Sequence, residues 1–128
     1  MYLRFVIAEI DSDSGVEAGV FVAAYRLWRG NSLPDYEDER LRDIMVWFNR
    51  NLRMPSRFSR SSRRSRPRSA VCWFRPTARE HLARAHEMVN ILEENGVFVR
   101  RIKAPKVGYV VYEDEHQVVA EPVADLIL

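Results

Sequence analysis

Ala70-Val-Cys-Trp-Phe-Arg-Pro-Thr-Ala-Arg-Glu-His-Leu-Ala-Arg-Ala-His-Glu-Met-Val-Asn-Ile-Leu-Glu-Glu-Asn-Gly-Val-Phe-Val-Arg-Arg-Ile102 decides the fold class. Ala70 to Phe74 is a short apolar run, the signature of a buried strand. Thr77-Ala-Arg-Glu80 has the spacing of a capping box, in which hydroxyl and carboxylate satisfy free helix N–H groups reciprocally. Leu82, Ala85, Val89 and Leu92 then recur on one stripe with Met88 beside it, and Gly96 supplies a C-terminal stop. Val97 to Ile102 resumes a strand. A strand–helix–strand unit results, with a right-handed crossover expected.

Upstream, Tyr2 to Ile10 is rich in β-branched and aromatic residues and reads as a strand. Asp11-Ser-Asp-Ser-Gly15 is turn chemistry, and Gly19 to Trp28 is read as a second strand that completes a hairpin. Pro34 suits the first turn of a helix. Asp35, Glu37, Asp38 and Glu39 place negative charge at its positive dipole end, while Leu41, Ile44, Met45, Phe48 and Leu52 keep helical spacing. The spacing predicts a helix over Pro34 to Leu52. Downstream, Tyr109 to Tyr112 and Gln117 to Ala120 flank Glu113-Asp-Glu-His116 and read as a closing hairpin. Pro122 ends it, before a short apolar tail from Ala124 to Leu128.

The expected fold is α+β, with order ββαβαβββ and two helices packed on one face of a five- or six-stranded mixed sheet. The opposite sheet face would be uncovered, and an uncovered face commonly binds a partner or dimerises. At 128 residues with 47% hydrophobic content, residues 1–128 are expected to form one domain interrupted by a basic loop at 53–69. One cysteine, Cys72, leaves no internal disulfide and fits a reducing compartment. No apolar run approaches the roughly 18 residues of a membrane helix. The N-terminal strand, interrupted by Arg4 and Glu9, is not a signal peptide, so a cytoplasmic location is expected.

The loop holds the strongest functional signal. Between Arg53 and Ser69 there are seven arginines and no acidic residue, whereas the rest of the chain carries 13 basic against 18 acidic side chains. Guanidinium forks grip phosphate with two bonds at once, which makes Arg57, Arg60, Arg63, Arg64, Arg66 and Arg68 candidate contacts to nucleic acid. Phe58 is placed to stack on a base. The Ser-Arg dipeptides resemble, over about a dozen residues, the RS tracts of RNA-processing factors. A solvated loop lying on the acidic surface of the first predicted helix is the plain alternative.

Other clusters are weaker. Asp11-x-Asp13-x-Gly15-x-Glu17 begins like a calcium loop but lacks the distal glutamate and flanking helices. Glu113 to His116 cannot all converge on one point, since strand side chains alternate, and read as a charged hairpin tip. His81 and His86, five apart on a helix, do not share a face. Cys72 between Val71 and Trp73 reads as inert core, and Glu80 with Arg84 as an i,i+4 ion pair. Tyr109-Val-Val-Tyr-Glu-Asp-Glu-His-Gln-Val118 resembles the closing strand of ADP-ribosyltransferases of the poly-ADP-ribose polymerase type. That family places a catalytic glutamate before this strand, where this chain has Gly108, so the resemblance implies no activity here.

No motif assigns nucleophile, base and electrophile together, so no catalytic residue, metal ligand or cofactor is expected. A non-enzymatic module contacting RNA or DNA is the first reading. A protein-interaction or regulatory subunit, docking on an acidic protein or forming a homodimer through the open sheet face, is the second. A small metal-dependent nuclease or hydrolase is the third.

Overall fold

A computed structural model describes residues 1–53 and 70–122. The elements are β1 (Tyr2–Ile10), β2 (Glu17–Gly19), α1 (Val20–Arg29), α2 (Asp35–Asn51), β3 (Val71–Phe74), α3 (Arg79–Glu94), β4 (Arg100–Ala104), β5 (Tyr109–Glu113) and β6 (Gln117–Glu121). The α+β class holds, but three features of the described residues depart from expectation: they form three helices, the order is ββααβαβββ, and every ladder of their six-stranded sheet is antiparallel.

The third helix is where a strand was expected over Gly19 to Trp28. Only Glu17–Gly19 pairs with β1, and the chain turns into α1 at Val20. Val20-Phe-Val mimics a strand, yet Val20, Ala23, Ala24 and Leu27 lie on one helical face and pack into the core. Ala23 and Ala24 are strong helix formers, and burying that face outweighs the β-propensity of three residues.

The sheet is mixed in sequence pattern but not in direction, because β1 inserts into the strand–helix–strand unit. β3 and β4 run parallel to each other, yet each pairs with β1 instead of its mate. One edge of β1 carries β4 along Tyr2 to Val6. Its other edge is shared in tandem by β3, at Leu3, and β2, from Val6 onward. β6 and then β5 extend the sheet beyond β3.

All three helices pack on one face of this sheet. Phe5, Ile7 and Phe74 from the sheet meet Ala24, Leu41, Ile44, Phe48, Val89 and Leu92 from the helices in one buried cluster. Aromatic edges lock it, with Phe21 and Phe48 centroids 4.9 Å apart. α2 begins and ends within one residue of expectation, with Asp35, Glu37 and Asp38 in its first turn and Arg50 in its last. α3 stops at Gly96, whose φ is +85°, where Val97 N donates to Leu92 O and Gly96 N to Glu93 O in a Schellman arrangement. The predicted capping box does not form. The Arg75–Ala78 turn delays the helix to Arg79 with Ala78 as its cap, so Glu80 lies too early to reach back and pairs with Arg84 at 4.0 Å instead. β4 likewise starts three residues later than expected, at Arg100.

Candidate functional site

Alternation along β1 sends Phe5 and Ile7 into the helical core and Tyr2 and Arg4 to the other face. That face is helix-free but not bare. The loop joining β4 to β5 folds over it, and Val107 packs with Val118, Ala120, Tyr2, Trp73 and Val110. Gly108 makes the fold-back possible. Its φ is +110°, and a Cβ there would sit 2.4 Å from Glu121 O, so neither the conformation nor the space admits another residue.

Beside this small core lies a groove of about 520 Å³, lined by Arg4, Val16, Glu17, Val71, Trp73, Ile102, Ala104, Pro105, Lys106, Val107 and Pro122. Arg4 is its centre. The register sets Ile102 opposite Arg4 and, by pairing Leu3 with Phe74, brings Trp73 alongside. Arg4 is only 7% exposed. Its Nη2 donates to Glu17 O at 2.7 Å, and among the described residues its Nε and Nη1 meet no acceptor. Burial lowers the guanidinium pKa from its usual value, against the pull of Cys72, Glu17 and Asp11. Glu17's own carboxylate is taken by Arg100. Among the described residues, Trp73 Nε1 is the buried side-chain donor left without a partner.

At the far end of β6 the polar groups are saturated instead. Gln117 is fully buried; its Nε2 donates to Arg53 O at 2.6 Å and to Asp114 Oδ2 at 3.2 Å, and its Oε1 accepts from Cys72 Sγ at 3.0 Å. Asp114 closes the hairpin by accepting from the backbone N–H groups of His116 and Gln117 and from Tyr112 Oη. Burial opposes its ionisation, but these hydrogen bonds prevail and hold its carboxyl below the usual range. Burial pushes the Cys72 thiol up to about 12, so it stays neutral. His81 packs under the turn, its ring stacked on His116 at 4.2 Å, with Nε2 donating to Asn51 O at 2.7 Å. His86 lies elsewhere, edge-on to Phe5. The Glu113–His116 tip is therefore a braced turn rather than a convergent cluster of acids.

At the other turn, Asp11 is likewise occupied locally: Ser14 N donates to its Oδ2 at 3.1 Å, and Gly15 takes φ +76°. Among the described residues no group of three or more His, Cys, Asp or Glu is placed to hold a metal ion. None of their helices is long and apolar enough to cross a membrane.

The sequence-predicted contacts Arg57, Phe58, Arg60, Arg63, Arg64, Arg66 and Arg68 lie outside the described residues. The flanks of that segment are defined. Arg53 is tied to Gln117 through its carbonyl, and Val71, one residue past the segment's return, lines the Arg4 groove. Sequence reasoning missed the groove and a second basic run. Arg100-Arg-Ile-Lys-Ala-Pro-Lys106 carries four cations and no acid, runs along edge strand β4, and ends in the groove wall at Lys106. Both signals were present in the chain: a charge run, and an arginine at an inward position of an apolar strand. Of the aromatic residues on β1, α1 and β3, Phe5 and Phe21 pack in the helical core, Tyr25 is exposed, and Trp73 lines the groove. No family model matches the chain, and no curated protein or solved structure is found to be similar to it.

Proposed function

We propose that the protein is a non-enzymatic binding module that contacts nucleic acid. Its basic segment at 53–69 grips phosphates through Arg57, Arg60, Arg63, Arg64, Arg66 and Arg68, with Phe58 stacking on a base. The observation that carries this reading is the second basic run on β4. It borders the helix-free face through Arg100 and Lys106, whereas Arg101 and Lys103 stand opposite Phe5 and Leu3 and so take the other side of this edge strand. The acidic first turn of α2, with Asp35, Glu37 and Asp38, belongs to the helical layer on the opposite side. A cationic sheet edge away from those acids steers a polyanion towards it. Cations on β4 also discourage edge-to-edge pairing with another sheet, which by itself explains their presence on an edge strand.

A protein-interaction subunit, docking on an acidic protein or forming a homodimer, is the second reading. In its favour is an apolar groove of about 340 Å³ between α1 and α2, lined by Phe21, Tyr25, Met45, Phe48, Asn49 and Leu52.

Anisotropy of labelled single- and double-stranded RNA and DNA across a salt series separates the two. Binding that weakens steeply with salt is expected, with a log–log slope of about −0.7 to −0.9 per phosphate contacted. Serine at the six arginines from 57 to 68 removes most of that slope. Serine at Arg101, Lys103 and Lys106 removes a smaller part. An absence of binding at low salt eliminates the nucleic-acid reading and leaves the protein partner.

A further inference from the structure

We propose that the groove on the helix-free face is a binding site for a small oxyanion on an apolar body, a carboxylate or a phosphate monoester, received by Arg4. A buried arginine ordinarily has a carboxylate beside it, because an unpaired charge away from water is costly. Here the carboxylate of Glu17, which lines the same groove, is engaged by Arg100, and Arg4 keeps one carbonyl partner and two nitrogens with no acceptor among the described residues. Those nitrogens are not sealed away. Trp73 Nε1 is the sole buried side-chain donor lacking a partner among the described residues, so the Arg4 donors keep some access to solvent, and Arg4 lines this groove as well as a second cavity beside Gly19 and Cys72.

Two donors therefore lack an acceptor in one place, Arg4 Nε and Arg4 Nη1, while the Trp73 indole N–H beside them is sealed from solvent. Lys106 in the wall adds positive charge. A planar guanidinium fork matches the two oxygens of a carboxylate or phosphate, and low local polarity strengthens the pairing. The remaining walls are apolar, with Val16, Val71, Ile102 and Pro105 among them, and suit a hydrocarbon or aromatic body. The volume of about 520 Å³ lies within the range for small-molecule sites. This inference stands apart from the nucleic-acid reading, since it needs one oxyanion and no polymer.

Titration calorimetry at fixed ionic strength with benzoate, phenyl phosphate and the neutral analogue benzyl alcohol tests it. One or both anions should bind at least about tenfold more tightly than the alcohol, and which anion prevails identifies the headgroup. Arg4→Met should abolish the difference. Ala104→Glu is the second variant, chosen because Ala104 lines the groove on an edge strand two pairs from Arg4's partner Ile102, and so on the same face. It supplies an internal carboxylate, so it should keep the fold, judged by circular dichroism and melting, while losing anion binding at least about tenfold. Equal binding of the alcohol, full binding in a folded Ala104→Glu protein, or no heat from either anion at millimolar concentration would overturn the proposal.

Discussion

The two faces of the sheet are one residue apart in sequence and opposite in character. Phe5 enters a core where, among the described residues, no buried side-chain donor or acceptor is left unmatched. Arg4 lines a groove where a charged donor is buried with two of its three nitrogens lacking an acceptor among the described residues. The helical face also treats its polar residues differently. Gln117 and Asp114 are as deeply committed as any apolar side chain there, with each amide and carboxylate oxygen engaged. A polar group that is saturated braces structure, whereas one left open requires a reason of its own. Under the proposed oxyanion site, one face serves stability and the other recognition.

The largest expected effect falls on the stabilising face. Leu92 is fully buried between α3 and the sheet, and Leu92→Ala should cost about 2–5 kcal/mol in urea unfolding. A cost below about 1 kcal/mol would mean the helical layer is loosely packed, and the division between faces would lose its basis.

Gly108→Ala comes next and tests the one point on the helix-free face where shape is imposed. Backbone strain alone is worth about 1–3 kcal/mol, and the clash with Glu121 O must move the loop as well. Chemical-shift changes centred on Val107, Val118 and Trp73 would show that this loop builds the groove wall. A variant with wild-type stability would show that the fold-back is not required.

Arg4→Met sharpens the comparison most directly. Only one hydrogen bond is lost and a buried charge is relieved, so stability should change by less than about 1 kcal/mol or rise. A loss as large as that of Leu92→Ala would make Arg4 structural, and the groove's open donors would have to be explained as an accident of packing.

The smallest effect concerns acid. Asp114 has a lowered pKa in the folded protein, so the unfolded chain takes up its proton first. Its stabilising contribution is therefore complete above the unfolded carboxyl value, about 4, and disappears as pH falls through the lower folded value. Melting temperature followed from pH 6 to pH 2 should decline less steeply in Asp114→Asn than in the parent. Parallel curves would show that the braced turn does not depend on the charge.

Long periodic stretches were legible in the chain alone. α2, α3, β1, β3 and the β5–β6 hairpin lie where hydrophobic spacing, Pro34, Gly96 and the Glu113–His116 turn place them, because each reports on a short-range backbone preference. α1 was misread because three strand-like residues at its start concealed a four-residue period that only burial makes decisive. The basic run from Arg100 to Lys106 was visible but drew no notice beside the denser one at 53–69.

What sequence determined, then, is the alternation of apolar and polar residues that makes helices and strands, and the concentration of arginine in one segment. Tertiary structure alone decided that β1 lies between β3 and β4, that its edge is shared by β2 and β3, and that Arg4, Trp73 and Lys106 meet in one groove. Those contacts join residues up to about a hundred positions apart. Which distant strands pair is settled by packing of the whole core, and no local pattern in the chain encodes it.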